Sequence, residues 1–86
     1  MNYARQPEWD QVASERVARG LELGLQPAHL RILNAISHGL QEEEAAVVLG
    51  IPEASVTEHL KEARRVLKAK NSPHLIARAL RYGLIR

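Results

Sequence analysis

The sequence predicts a single small domain of 86 residues with an all-α fold. Its apolar residues are mainly Leu, Ile, Val and Ala, and it is rich in Glu and Arg, a composition that favours helix over strand. Apolar residues recur three and four positions apart, and no stretch shows the alternation of a strand. Prolines and glycines fall where helices begin and end, which defines the elements in order.

This punctuation predicts five helices. Proline suits the first turn of a helix and glycine the position just past its end. Pro27 and Pro52 therefore precede or open helices, and Ser72 before Pro73 is predicted to be an N-cap. The predicted ranges are 8–22, 27–38, 42–49, 53–69 and 73–82.

Each predicted helix has an apolar face. The third is short and made of small apolar residues, so it can pack closely against its neighbours. The first helix packs either on the domain or on a second copy, and the sequence leaves this open. The faces, in chain order, are Trp9, Ala13, Val17 and Leu21; Leu30, Leu33 and Ile36; Ala45, Ala46, Val48 and Leu49; Val56, Leu60, Ala63 and Leu67; and Ile76, Ala79 and Leu80, with Leu84 and Ile85 underneath.

Composition excludes several classes of function. There is no cysteine, so the chain has neither disulfides nor a thiolate metal site. No apolar run is long enough to span a membrane and no signal peptide opens the chain, so we expect a cytoplasmic protein. His29, His38 and His74 lack metal-ligand spacing, and His59 is expected to be packed at the core edge. No catalytic arrangement is present, and we expect no enzymatic activity, metal or cofactor.

Charge is distributed unevenly along the chain. Residues 51–86 hold eight basic and three acidic side chains, a net charge of +5, whereas residues 1–24 and 25–50 carry −1 and −2. A polyanion would therefore meet the C-terminal part. A solvated basic surface without a partner explains the same distribution.

The third and fourth helices are joined by the short turn "LGIP", in which Gly50 can adopt the left-handed conformation. Two helices connected in this way form a helix-turn-helix, whose second helix enters the DNA major groove. The shape alone is not specific, because many compact helical domains contain such a corner.

Residues 25–86 resemble the LuxR-type (GerE) DNA-binding domain, a four-helix module. The similarity lies in "LQPAHLRILNAISHGL", in "EEEAAVVLGIPEASVTEHL" and in "LKAKNSPHLIARALRYGLI". The resemblance implies a transcription regulator that binds double-stranded DNA, commonly as a homodimer formed through its last helix. Residues 1–24 would be an N-terminal helical extension too short for a sensor domain. The chain thus resembles a stand-alone member, controlled by its abundance or by a partner protein.

At about 100° per residue, the outward face of the fourth helix contains Ala54, Thr57, Glu58, Lys61, Arg65 and Lys68, flanked by Glu62 and Arg64. Family members usually have basic residues at the positions of Ala54 and Thr57. A carboxylate about 8 Å from a phosphate is repelled by roughly 0.5 kcal/mol in water-like dielectric. Four basic side chains against two glutamates leave the face attractive to DNA.

Individual roles follow from side-chain chemistry. Glu58 either accepts a hydrogen bond from cytosine N4 or forms an i, i+3 ion pair with Lys61. Lys61 is the expected base contact and Arg65 a phosphate contact, while Thr57 can donate to phosphates. Ser55 either does the same or serves the start of the helix. The predicted DNA-binding residues are Ser55, Thr57, Glu58, Lys61, Arg64, Arg65, Lys68 and Asn71.

The last helix offers a candidate dimer surface, in which Leu75 and Tyr82 project beside Arg78. A two-fold dimer would present two recognition helices about 34 Å apart. An alternative function is a protein-binding module in which residues 42–62, rich in Glu, hold a basic partner. That partner would be another regulator's DNA-binding domain or RNA polymerase.

Overall fold

The computed structural model describes residues 14–86, which form five α-helices and no strand. The predicted all-helical fold is confirmed, and the predicted bounds of the last four helices agree to within two residues. Residues 8–13 of the predicted first helix, with Trp9 and Ala13, lie outside the described residues. No helix in the described range is long and apolar enough to cross a bilayer. The helices are α1 (Ser14–Leu23), α2 (Pro27–Ser37), α3 (Glu42–Leu49), α4 (Glu53–Leu67) and α5 (Ser72–Arg81).

Helix α4 lies at the centre and packs against α2, α3 and α5. Its predicted apolar face is buried, as are Leu30 and Leu33 of α2, while Ile36 is half-buried. Because three helices cover one side of α4, the opposite side is left to solvent. The largest fully buried side chains are Leu25, Leu30, Ile32, Leu33, Val56, Leu75 and Leu84.

The side chain at the third position of α2 and of α3 reaches back to the residue before the helix. The Gln26 N–H donates to His29 Nδ1 at 2.8 Å, and the Gln41 N–H donates to Glu44 Oε1 at 2.8 Å. Both contacts satisfy an amide that the helix itself leaves unpaired. At α5 the cap is Asn71, whose Oδ1 accepts from the His74 N–H at 2.8 Å. The prediction of Ser72 as N-cap is wrong, since Ser72 is already helical.

Helix α1 packs on α2 through Gly20, the buried residue of this helix. A Cβ added to Gly20 would lie 2.9 Å from Leu30 Cδ1, so the two helices are as close as a glycine allows. Val17 packs against the core, but Leu21, predicted to be on the same face, is 52% exposed. Of the two possibilities left open for this face, Val17 packs on the domain and Leu21 does not, because the contact with α2 runs from Val17 to Gly20. Arg19 also donates to the Gly83 carbonyl, so the described part of α1 is joined to its own chain.

The apolar face of α5 also differs from the prediction. Leu75 and Ala79 are fully buried, Ile76 is half-buried and Leu80 is 49% exposed. The sequence places apolar residues in adjacent pairs, at 75–76 and 79–80, so spacing alone allows two stripes about 100° apart. Packing against the rest of the core selects the stripe that contains Leu75, and the assignment of Leu80 to the core is wrong.

Candidate nucleic-acid interface

The turn between α3 and α4 is closed by Gly50, which has φ 71° and ψ 33°. This is the left-handed conformation expected from the sequence, and it lets the Ile51 N–H return to the Ala46 carbonyl at 3.1 Å. The Ser55 N–H then donates to the Pro52 carbonyl at 3.0 Å and opens α4. Three residues thus connect the helices and fix where the exposed face of α4 begins.

The side of α4 that faces away from the core matches the predicted outward face. Ser55, Glu62 and Arg64 are half-buried at its margins. The six residues predicted to face outward, here called the α4 outer face, are all exposed: Ala54, Thr57, Glu58, Lys61, Arg65 and Lys68. No described element covers this surface, so a macromolecule can approach it.

Glu58 and Lys61 form an ion pair on the α4 outer face, with Lys61 Nζ 3.9 Å from Glu58 Oε2. The side chains are 62% exposed for Lys61 and 73% for Glu58, so the attraction is weak and screened by salt. The ion-pair interpretation of Glu58 is confirmed in the unbound chain. Its contact with a base stays a prediction, because a pair this exposed is readily opened.

Arg65 is held more firmly by Glu62. Its Nε donates to Glu62 Oε1 at 3.2 Å, and its Nη2 donates to Glu62 Oε2. The hydrogen bond from Arg65 is the largest cause that lowers the pKa of Glu62, and it also raises the pKa of Arg65. Arg65 therefore meets solvent with its charge largely balanced. Lys68 and Arg64 have no ion pair with any residue between 14 and 86.

Thr57 links the two helices of the motif. Its hydroxyl donates to Glu42 Oε1 at 2.7 Å, across fifteen positions of sequence, and lies 3.3 Å from the Glu53 carbonyl. Glu42 is the first residue of α3 and Thr57 lies in the second turn of α4, so this hydrogen bond joins the two helices away from the turn that connects them. Glu42 therefore competes with phosphate for the Thr57 proton. Spacing within one helix does not reveal this contact, because Glu42 lies on α3.

His59 is half-buried on the margin of α4, as predicted for a packed histidine. Its Nδ1–H donates to the Ser55 carbonyl at 2.7 Å, and its ring centroid is 5.0 Å from that of His29. His29 is 7% exposed, and its pKa is lowered by burial and, second, by His59, while Glu62 opposes the shift. His29 of α2 thus packs against His59 of α4 at the edge of the core. No cluster of metal-ligating side chains exists among residues 14–86.

Past the end of α4, Lys68 has φ 57°, a left-handed conformation that a residue with a side chain rarely adopts. Its N–H donates to the Arg65 carbonyl, and this hydrogen bond ends the helix. Asn71 is exposed, and its side-chain oxygen is engaged in capping α5. Lys68 is thus an available cation, whereas Asn71 already has a structural role.

The candidate dimer surface on α5 is only partly exposed. Leu75 is 0% exposed, so its assignment to a dimer surface is wrong: the side chain packs in the core. Arg78 donates from Nε to the Leu67 carbonyl and from Nη2 to the Tyr82 hydroxyl at 3.0 Å, with its guanidinium 5.6 Å from the ring centroid. Tyr82 is 37% exposed and remains accessible.

Comparison with known proteins agrees with this architecture. Over 62 residues, or 72% of the chain, the sequence is 42% identical to RpaR, an HTH-type quorum sensing-dependent transcriptional regulator of Rhodopseudomonas palustris. The match spans 26% of that regulator, so the chain corresponds to about a quarter of it. No family model and no solved structure matches the chain. The similarity and the helical architecture together support a LuxR-like helix-turn-helix domain, and the relative is a regulator rather than an enzyme.

Proposed function

We propose that this chain is a sequence-specific transcription regulator of the LuxR type that places α4 in the DNA major groove. The observation that carries the proposal is the α4 outer face, which is open to solvent while the other side of the helix is buried. With Arg64 and Glu62 at its margins, it bears four basic and two acidic side chains, a net charge of +2. The 62-residue similarity to a transcriptional regulator supports the same function.

Within the proposed complex, the role of each side chain depends on whether another residue of the chain already holds it. Lys68 and Arg64 lack ion pairs in the described chain and contact phosphates. Lys61 and Glu58 exchange their mutual pairing for contacts to base edges, because that pairing is weak in water. Ser55 lies in the first turn of α4, and Asn71 lies past its end as the cap of α5, where its side-chain NH2 is left free by the capping bond; both contact the DNA backbone.

A homodimer remains part of the proposal, with a smaller surface than the sequence predicted. Tyr82, 37% exposed just past the end of α5, and Arg78, which is hydrogen-bonded to its hydroxyl, are the residues of the predicted surface that stay accessible. Two-fold packing through these residues would pair two α4 helices with a site of two half-sites.

A second function, the binding of a basic protein, is favoured by α3. Val47 is 82% exposed, and Glu43 and Glu44 lie within one turn of it. An exposed apolar side chain beside carboxylates suits a partner with apolar and basic groups, such as RNA polymerase or the DNA-binding domain of another regulator.

Selection of bound sequences from a random duplex pool tests the function, and a salt titration of the selected site tests its mechanism. If Arg64, Arg65 and Lys68 neutralise phosphates while Lys61 contacts a base, each chain should contribute a log–log slope of about −2.7. If Lys61 and Arg65 keep their glutamates, the slope should be about −1.8. No enrichment and no binding at low salt by the folded chain would refute DNA binding and favour the protein-binding function.

A further inference from the structure

The hydrogen bond between Thr57 and Glu42 limits what Thr57 can offer to DNA. Its donor–acceptor distance is 2.7 Å, against 3.3 Å for the contact with the Glu53 carbonyl, so Glu42 receives the hydroxyl proton. A threonine hydroxyl has a single proton to donate. While Glu42 holds it, Thr57 cannot donate to another acceptor.

Phosphate oxygens in DNA are acceptors without protons. The remaining lone pairs of the Thr57 hydroxyl therefore find no partner on the backbone. The Glu42 carboxylate, hydrogen-bonded to this hydroxyl, also repels any phosphate that comes close enough to compete for the proton. Both effects act against the phosphate contact that the sequence predicts for Thr57.

The methyl group of Thr57 remains. Ala54, exposed one turn earlier on α4, offers a second methyl group at the same end of the helix. Threonine and alanine methyl groups contact the C5-methyl group of thymine in the major groove. Ala54 and Thr57 thus present methyl groups at this end of α4, although Thr57 is a polar residue.

We propose that Glu42 is a specificity-determining residue of the DNA interface, which withholds the Thr57 proton from phosphate and leaves the Thr57 methyl group to contact thymine. This inference rests on the proposed function, because it requires that α4 occupies the major groove. It assigns to Glu42 of α3 an effect exerted through Thr57 of α4.

The test uses the duplex selected from the random pool, with each thymine of the site replaced in turn by deoxyuridine, which lacks the methyl group. At one position the parent should bind deoxyuridine about fourfold more weakly, the effect of one buried methyl group. Thr57→Val keeps that methyl group and should keep the fourfold ratio. Thr57→Ser keeps only the hydroxyl and should lose the ratio.

Variants of Glu42 test the other half of the pair. Glu42→Gln removes the negative charge that repels phosphate, so affinity should rise. It retains an oxygen that accepts the Thr57 proton, so the fourfold ratio should stay. Glu42→Ala releases the proton to phosphate, and the ratio should fall toward one. Glu43→Ala removes a charge from the same turn without a contact to Thr57, and it should leave the ratio unchanged.

The outcomes separate this inference from the proposed function. If Thr57→Ser binds as the parent does while Thr57→Val weakens every duplex, Thr57 is a phosphate donor and the inference is wrong, although DNA binding stands. The inference is also wrong, and DNA binding still stands, if replacing each thymine by deoxyuridine leaves the affinity of the parent unchanged. If the folded parent binds no duplex, both proposals fail. Circular dichroism of each variant verifies that the fold is retained.

Discussion

The Arg65 guanidinium donates through Nε and Nη2 to the two carboxylate oxygens of Glu62, three residues earlier on α4. A guanidinium bound at both oxygens has a fixed orientation as well as a balanced charge. Since Arg65 is the cation expected to contact phosphate, Glu62 competes with DNA for it. The strength of the proposed interface thus depends on a contact within the helix.

Glu62→Gln should therefore strengthen duplex binding about threefold at low salt, because one repulsive charge is lost and Arg65 is released. The log–log salt slope should steepen by about 0.9, the contribution of one additional phosphate contact. Fluorescence anisotropy at several salt concentrations measures both quantities. Glu22→Gln, which removes an exposed carboxylate on α1 instead of α4, is the matched control and should leave the slope unchanged. Equal slopes for Glu62→Gln and the parent would show that Arg65 does not reach a phosphate.

How far the sequence predicts this site depends on the distance in sequence between partners. The outer face of α4 follows from helical period, and the Glu58–Lys61 pair follows from i, i+3 spacing. The contact between Thr57 and Glu42 joins different helices, so it requires their packing to be known. Glu62 and Arg65 have the same i, i+3 spacing, so their contact could also be predicted from the sequence; the structure adds that both carboxylate oxygens of Glu62 accept from Arg65.

The left-handed conformation of Lys68 provides a prediction about stability. Glycine adopts φ near 57° without the steric cost that a Cβ brings. Lys68→Gly should thus raise the free energy of unfolding by about 1 kcal/mol relative to Lys68→Ala, measured by urea denaturation. Both variants lose the same positive charge, so they should weaken the proposed DNA binding equally. A glycine variant no more stable than the alanine variant would contradict this account of the helix end.

The corrected stripe of α5 predicts different effects for two leucines. Leu75→Ala removes a fully buried side chain and should cost about 3 kcal/mol in the free energy of unfolding. Leu80→Ala, at a position 49% exposed on the same helix, should cost less than about 1 kcal/mol. Thermal or urea denaturation measures both. Equal losses would mean that the core extends over Leu80 as the sequence predicted.

Such pairs of adjacent apolar residues mark the limit of prediction from pattern. In α4, Val56 and Leu60 have charged or polar neighbours, so the buried stripe is unambiguous. In α5, Leu75 stands beside Ile76, and the sequence cannot choose between them. The burial of Gly20 could not be predicted from apolar spacing for another reason. Gly20 is buried because it lacks a side chain, which allows α1 to approach Leu30.

His29 makes the stability of the fold depend on pH. Its pKa lies below the ordinary value of 6.5, chiefly because burial disfavours the charged ring and second because His59 repels it. Glu62 faces the same ring and acts in the opposite direction. The folded chain thus binds protons less readily than the unfolded chain. Stability from this group is fully present above pH 6.5 and is lost as the pH falls through the lowered pKa.

His29→Gln should flatten the fall in the free energy of unfolding between about pH 7 and pH 5. Glutamine at this position still offers an oxygen to the Gln26 N–H, so the start of α2 should be preserved. Urea denaturation across pH gives the profile, and an NMR titration of the His29 ring in the parent should have its midpoint below 6.5. Glu62→Gln removes the opposing charge and should move that midpoint lower still. A midpoint at or above 6.5 in the parent would mean that His29 is hydrated in solution and that α4 packs less closely on α2 than described.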